Sequence, residues 1–157
     1  MSAARPARGE PAPSFDAVAT DGRRVRLADF RGRKLVLYFY PRDDTPGCTR
    51  QACSLRDHLA EFAARGAAVV GVSTQDAASH QAFTRKHRLN FPLLADTDRA
   101  IGRAYGVLGG RGLLARLRTA AGLAQRVTFV IDEGGRIVHV IDRPDVARHA
   151  EELLALL

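Results

Sequence analysis

The 157-residue sequence contains two cysteines, Cys48 and Cys53, which lie five positions apart. Thiols stay reduced in a cytoplasmic compartment, so a cysteine pair there favours a catalytic, redox or metal-binding role over a permanent disulfide. Two cysteines without a histidine pair at zinc-finger spacing are too few ligands for a structural zinc site. The residue types and their spacing therefore indicate redox chemistry.

Cys48 lies where a predicted strand, residues 35–40, leads through a polar loop into a predicted helix, residues 49–65. Unpaired N–H groups and the positive end of the macrodipole at a helix N-terminus stabilise a thiolate, which is the nucleophilic form of cysteine. One helix face carries the residues Cys48, Ala52, Leu55, Leu59 and Phe62 at helical spacing. The pattern predicts a reactive thiolate that points inward, into a pocket floored by the strand.

Two loop residues before Cys48 could assist a reaction at the thiol. Thr45 carries a hydroxyl that can accept a hydrogen bond from the thiol or donate one to a bound oxygen. Pro41 can wall off a pocket without leaving an N–H group unpaired. Taken singly, either residue is also compatible with an ordinary turn. Their spacing, Pro-x-x-x-Thr-x-x-Cys, resembles the signature of the peroxiredoxins.

The resemblance extends to a subfamily. The peptide YPRDDTPGCTRQACSLRDHLAEF is similar to the bacterioferritin-comigratory, or Q-type, peroxiredoxins, in which a second cysteine follows five residues after the first. The segment RVTFVID, residues 126–132, resembles the family strand whose arginine completes the peroxide site. The tripeptides Val72-Ser73-Thr74 and Tyr105-Gly106-Val107 also match, so the resemblance covers residues 11–140.

The resemblance implies a fold, a reaction and partners. The fold is α/β and thioredoxin-like, with a central mixed sheet flanked by helices and an N-terminal β-hairpin extension. Cys48 attacks a peroxide, Cys53 condenses with the resulting sulfenic acid to form a disulfide, and thioredoxin or a similar dithiol reduces that disulfide. Arg126 holds the thiolate and the polarised peroxide oxygens in its planar fork. A monomer is implied, and no metal, haem or flavin is required.

Helix geometry adds a prediction about the two cysteines. Five residues of helix rotate a side chain by about 140° and raise it by about 7.5 Å, so Cys48 and Cys53 face apart if both are helical. A disulfide needs Cα atoms within about 7 Å of each other. We therefore hypothesise that the first turns of this helix unwind when the protein is oxidised.

Strand and helix patterns alternate along the rest of the chain, which predicts an α/β protein. A short hairpin is predicted around Asp21-Gly22, and Asp76 is a predicted N-cap. Residues 106–126 are the least readable part, and we expect a helical turn near residues 113–117 or a segment that covers the site. The other predicted elements are strands at 67–72, 91–94, 127–131 and 136–141 and helices at 77–87, 98–105 and 145–156.

Composition supports one globular domain, residues 15–157, after a flexible lead-in, residues 1–14, that contains three prolines. The net charge of +7 comes from scattered arginines without a basic cluster, so we expect no nucleic-acid partner. No signal-peptide core and no stretch of about 18 apolar residues is present, so we expect a cytoplasmic protein with no membrane partner.

Two other functions remain open at this level. A thioredoxin-type disulfide reductase would share the fold and the thiol chemistry, but it expects Cys-x-x-Cys. A non-enzymatic holdase or binding protein could use the leucine-rich segment 113–123 and the basic surface. We interpret His80 and His87 as rim or solvent-facing residues, and Asp43 and Asp44 as residues that cap and solvate the loop.

Overall fold

A computed structural model describes residues 4–157, and its centre is a five-stranded mixed sheet. The strand order is β5-β4-β3-β6-β7, in which β3, β4 and β5 are parallel and β6 and β7 run antiparallel to their neighbours. The mixed sheet confirms the predicted fold class. The sheet strands are β3 (Lys34–Phe39), β4 (Ala67–Ser73), β5 (Leu93–Ala95), β6 (Val127–Ile131) and β7 (Ile137–Ile141).

Helices pack against both faces of the sheet, so the central strand β3 is buried on both faces. Leu35, Leu37 and Phe39 of β3 belong to one apolar cluster, whereas Val36 and Tyr38 belong to the other, as the alternation of side chains along a strand requires. Cys48 lies in the second cluster. The helices are α1 (Pro46–Asp57), α2 (Leu59–Ala64), α3 (Ala77–His87), α4 (Ala100–Ala104), α5 (Leu113–Ala120) and α6 (His149–Leu154).

The predicted helix over residues 49–65 is wrong in two respects. Helix α1 begins earlier, with Thr45 as an extended N-cap and Pro46 at the first helical position, where a proline has no N–H bond to lose. The helix also breaks at His58, whose ring Nδ1 lies 2.9 Å from the Ser54 carbonyl oxygen. The ring therefore takes the acceptor that the His58 backbone N–H would bond in a continuous helix, and that N–H bonds Leu55 instead.

The predicted N-terminal hairpin is present as β1 (Asp16–Val18) and β2 (Arg24–Arg26), followed by a 3₁₀ turn at Leu27–Phe30. The lead-in differs from its prediction over residues 4–14, and its residues 1–3 lie outside the described part. Gly9 and Ala12 donate backbone hydrogen bonds to Ile137 and Gly135, at 2.7 and 2.9 Å. Ordered contacts thus begin before Phe15, because the prolines leave an extended chain that can pair with the β6–β7 hairpin.

The segment that the sequence left least readable contains helix α5. Thr119 points inward, because its hydroxyl accepts from the Gly109 N–H at 2.8 Å. Leu113, Leu114 and Leu117 lie on the opposite side of the helix and are 74%, 70% and 58% exposed. The predicted helical turn is therefore a longer helix with an exposed leucine face. Within residues 4–157, no helix combines the length and apolar character needed to cross a membrane.

Candidate active site

The first turn of α1 places Cys48 at a helix N-terminus and in the protein interior. Thr45 is extended, with φ −86° and ψ 156°, and its carbonyl accepts the first helical bond, from the Thr49 N–H at 2.8 Å. Cys48 is the third helical residue and is 1% exposed. Backbone N–H groups of a first turn have no intrahelical acceptor, and they favour a negative charge nearby. The Cys48 sulfur therefore lies at the positive end of α1 and away from bulk water.

Arg126 reaches the same sulfur from the start of the neighbouring strand β6. It directly precedes β6, and the antiparallel register pairs Val127 with Phe39, so Arg126 lies beside the end of β3. Its Nη2 atom is 3.3 Å from the Cys48 Sγ atom, within hydrogen-bonding distance for sulfur. The structure thus brings together the cysteine and the arginine that the sequence singled out 78 positions apart.

Two residues that the sequence analysis missed complete this contact. Gln51, which is fully buried, accepts a hydrogen bond from Arg126 Nη1 through Oε1 at 2.8 Å. Gly47 leaves room for the guanidinium, since a Cβ atom there would lie 3.1 Å from Arg126 Nη2. The signal for Gln51 was available, because it follows Cys48 by three residues and so shares its helix face.

Two buried polar atoms near the sulfur have no hydrogen-bond partner within the described residues, the Tyr38 hydroxyl and Gln51 Nε2. Tyr38 lies in the apolar cluster that includes Cys48. Burial raises the pKa of Tyr38 well above its usual range, and negative charge at Cys48 raises it further. The phenol therefore stays protonated, and an uncharged side chain lies in the same cluster as the thiol.

Thr45 and Pro41 lie in the loop before the helix, and neither makes a hydrogen bond to Cys48 in the part of the chain that the structure describes. The Thr45 hydroxyl donates to the Arg42 carbonyl at 3.2 Å. Pro41 is half-buried, and its carbonyl accepts from Gln75 Nε2 at 3.5 Å. Thr45 is thus held by a bond within the loop, whereas Pro41 is bonded by Gln75, which follows β4.

Cys53 lies in the same helix as Cys48, and both cysteines are free thiols. Cys53 is half-buried, whereas Cys48 is buried. The next residue, Ser54, accepts a hydrogen bond from the Ala150 N–H at 3.1 Å and so ties this part of α1 to α6. The geometric premise of the unwinding hypothesis is therefore met, since both cysteines are helical.

The acidic residues of the loop and the histidines of α3 contact each other, which corrects our interpretation of Asp43 and His80, whereas His87 and Asp44 lie at the rim as expected. Asp43 Oδ2 lies 2.6 Å from His80 Nδ1, and these side chains are 5% and 0% exposed, so neither solvates the loop or faces solvent. Asp44 lies nearer the surface and contacts Lys86 Nζ at 2.6 Å and His87 Nε2 at 2.8 Å. Two successive loop residues are thus tied to one helix.

Comparison with known proteins identifies the family. Residues 8–140 match the model of the AhpC/TSA family. The peroxiredoxin Bcp of Escherichia coli strain K12 is 39% identical over 146 residues, which cover 93% of this chain and 92% of that protein.

Solved structures agree with this assignment over nearly the whole chain. The structure of peroxidoxin BcpB from Mycobacterium tuberculosis has a TM-score of 0.83 at 33% identity and covers 96% of each chain. A variant of peroxiredoxin Q from Xanthomonas campestris has a TM-score of 0.81 at 33% identity, with 90% of this chain and 88% of that chain covered. The predicted thioredoxin-like fold is therefore confirmed. The chain belongs to the AhpC/TSA family and, within it, to the thiol peroxidases of the Bcp and peroxiredoxin Q group.

Proposed function

We propose that Cys48 is the nucleophile that reduces hydrogen peroxide and organic hydroperoxides. Its thiolate attacks one peroxide oxygen, the O–O bond breaks, and the other oxygen leaves and takes up a proton to form water or an alcohol. Cys48 loses two electrons and becomes a sulfenic acid, while the peroxide gains them. This chemistry needs no metal, haem or flavin.

The observation that carries the proposal is the 3.3 Å contact between Arg126 Nη2 and Cys48 Sγ. A guanidinium is always protonated, so its charge favours the thiolate without competing for the proton. Gln51 fixes the other end of the fork at 2.8 Å. The N–H groups that remain can stabilise the charge that develops on the leaving oxygen, which a lysine could not do in the same plane.

Thr45 and Pro41 support the same reaction in this proposal. The Thr45 hydroxyl, which donates to the Arg42 carbonyl, exchanges that acceptor for a peroxide oxygen when substrate binds. Pro41 bounds the pocket at the end of β3, where a residue with an N–H group would need a partner. Both roles concern the peroxide and not the thiol, because neither side chain bonds the sulfur.

We propose that Cys53 resolves the sulfenic acid. The Cys53 thiol attacks the sulfur of the Cys48 sulfenic acid, an S–S bond forms, and water leaves. The disulfide therefore holds the two oxidising equivalents that came from the peroxide. Because α1 holds the two cysteines on different faces, the first turns of α1 must unwind for the bond to form. Thioredoxin or a similar dithiol then reduces the disulfide by exchange. The protein acts as a cytoplasmic monomer in this proposal.

Thiol counting after rapid quenching tests these steps. Reduced wild type mixed with one equivalent of hydrogen peroxide is expected to lose two thiols, Cys53→Ser one and Cys48→Ser none. A coupled assay with several dithiol proteins and several peroxides then measures turnover and names the reductant. Wild type that retains both thiols would overturn the proposed nucleophile. Full turnover of Cys53→Ser with thioredoxin would overturn only the resolving role.

A second candidate function rests on helix α5, whose three exposed leucines favour binding of a partner. Exposed Arg111, Arg116 and Arg118 border this face, so a client would combine apolar and acidic groups. A holdase would suppress the aggregation of a denatured client equally well as wild type and as Cys48→Ser. Loss of suppression in Leu113→Ser with Leu117→Ser, together with unreactive cysteines, would favour the holdase over the peroxidase.

A further inference from the structure

We infer that His80 is a positioning residue for the peroxidase reaction, which it serves by clamping the Pro41 to Thr45 loop onto helix α3 through Asp43. The inference rests on the proposed function, because it concerns the loop that carries Thr45 and leads into Cys48. His80 itself contacts the loop at Asp43 and not at the cysteine.

The clamp is made of several buried contacts around one carboxylate. Asp43 Oδ2 accepts from Ser79 Oγ at 2.7 Å and lies 2.6 Å from His80 Nδ1. Asp43 Oδ1 accepts from the Tyr40 hydroxyl at 2.6 Å, and the Asp43 N–H donates to Gln75 Oε1 at 3.0 Å. The side chain and the backbone of Asp43 are therefore both held, two residues before Thr45.

Both ring nitrogens of His80 have a hydrogen-bond partner. Its Nε2 atom lies 2.9 Å from the Leu94 carbonyl oxygen, which can only accept, so Nε2 carries a proton. Nδ1 faces a carboxylate that already accepts from two hydroxyl groups, so Nδ1 also donates. Burial opposes ionisation of Asp43, but the bond to His80 and its charge outweigh that and lower the pKa of Asp43. Nδ1 of His80 and Oδ2 of Asp43 thus form a direct, buried contact.

The clamp can affect the reaction at Cys48 without contacting the sulfur, because of its position in the chain. The chain turns sharply after Asp43, because Asp44 has a left-handed backbone with φ 60°. Thr45 is then the N-cap of α1, so the position of Asp43, two residues earlier, influences where the first helical turn begins. A displacement of about 1 Å at a reacting centre can cost a factor of about 100 in rate.

The chain also contains a matched control for the clamp. Asp44 is tied to the same helix by His87, with the same pair of residue types. The Asp44 side chain is 41% exposed, against 5% for Asp43, so water can replace the His87 contact but not the His80 contact. Loss of the contact between Asp44 and His87 should therefore leave the loop in place.

Two substitutions at position 80 separate the loop contact from the rest of the histidine. Asn places its amide N–H where Nδ1 lies and keeps the bond to Asp43, whereas Gln places it where Nε2 lies and keeps only the bond to Leu94. We measure the rate constant for hydrogen peroxide by rapid quenching, since the chain has no tryptophan to report the reaction. Each variant also carries Cys53→Ser, and alkylation of Cys48 by iodoacetamide reports thiol reactivity without a peroxide.

We expect His80→Gln to lower the peroxide rate constant by about tenfold to a hundredfold while alkylation changes by less than about threefold. His80→Asn should retain most of the peroxide rate, and His87→Gln should change it by less than about threefold. A general loss of structure would slow alkylation and peroxide reduction alike, and it would not rank Asn above Gln.

Nitrogen-15 NMR of the imidazole in wild type gives a readout that needs no variant. Each His80 nitrogen should report a hydrogen bond, Nδ1 to Asp43 and Nε2 to Leu94, and an Nδ1 atom without one would overturn the clamp. Equal peroxide rates for His80→Gln and wild type would overturn the positioning role. If His80→Gln does not fold, Ser79→Ala, which removes one bond to Asp43, takes its place. The peroxide rate constant of Ser79→Ala should then fall more than its rate of alkylation. If the thiols of the wild type do not react with peroxide, the proposed function itself is overturned.

Discussion

The Arg126 guanidinium bridges Cys48 and Gln51, with Nη2 at 3.3 Å from the sulfur and Nη1 at 2.8 Å from the amide oxygen. Cys48 and Gln51 lie one helical turn apart, so the fork lies along the first turn of α1. One nitrogen thus anchors the group while the other faces the sulfur. A side chain with one charged atom cannot make both contacts in a plane.

Arg126→Lys tests this bidentate arrangement. The ammonium keeps the positive charge, but it loses the fork, so we expect the peroxide rate constant to fall by about a hundredfold. Rapid-quench thiol counting with hydrogen peroxide measures the change, and Arg118→Lys on the exposed side of α5 is the matched control. A rate constant for Arg126→Lys that equals that of the control would show that charge alone suffices.

Gly47→Ala separates catalysis from stability. Gly47 lies in the first turn of helix α1 and is not one of the glycines with positive φ, so alanine fits the backbone. The free energy of unfolding should change by less than about 1 kcal/mol, because the gain in helix propensity is offset by the close contact with Arg126. The new methyl would lie 3.1 Å from Arg126 Nη2 and displace the guanidinium from the sulfur. We therefore expect a peroxide rate constant lower by about tenfold.

Urea unfolding and rapid-quench kinetics on the same sample check both halves of the Gly47 prediction. The control is Gly134→Ala in the β6–β7 turn, where the nearest side-chain atom to a new Cβ would be 3.5 Å away. That variant should leave the peroxide rate unchanged. An unchanged rate in Gly47→Ala as well would mean that the guanidinium moves aside without consequence.

The part of the site that lies within one helix could be predicted from the sequence. The contacts between residues on distant segments of the chain could not. Cys48 follows from helix position and an apolar face, which are local properties. The contacts of Gln51 with Arg126 and of Asp43 with His80 join residues 75 and 37 positions apart. They depend on the β3–β6 register and on where α3 packs, and neither can be derived from residue types alone.

The same distinction explains the errors in the fold. The strands and the hairpin were predicted because alternation and turn residues act locally. The break at His58 depends on a ring nitrogen that competes for one carbonyl, and a histidine in a helical pattern gives no sign of this. The pairing of residues 9–12 with the β6–β7 hairpin also needs a partner that lies more than 120 positions along the chain.

His149 should make the stability of the fold depend on pH. The side chain is 0% exposed, with Nε2 2.8 Å from Thr128 Oγ1 and Nδ1 3.0 Å from Glu152 Oε1. Burial lowers the pKa of His149, although Glu152 opposes this. The unfolded chain therefore binds a proton more readily than the folded one, and stability falls as the pH drops below about 6.5.

Urea unfolding between about pH 7.5 and pH 5.5 measures the effect, which is at most about 1.4 kcal/mol per pH unit for one proton. His149→Gln keeps a donor where Nε2 lies and removes the titrating group, so its profile should be flatter than that of wild type. His139→Gln, on the half-buried strand β7, is the control. Parallel profiles for wild type and His149→Gln would contradict the prediction.

Oxidation should expose the backbone of helix α1. The two cysteines cannot approach while α1 is helical, and Ser54 and Gln51 are the side chains that tie this helix to α6 and to Arg126. We expect the amides of residues 49–55 to lose hydrogen-exchange protection when wild type is treated with one equivalent of peroxide. Cys53→Ser, in which no intramolecular disulfide can form, should keep its protection under the same treatment. Exchange followed by mass spectrometry on peptides from this helix measures the difference, and α3, which holds the loop from the other side, serves as the internal reference. If oxidised wild type shows the same protection as reduced wild type over residues 49–55, helix α1 has not unwound and the proposed disulfide within one chain is wrong, because both cysteines belong to that helix.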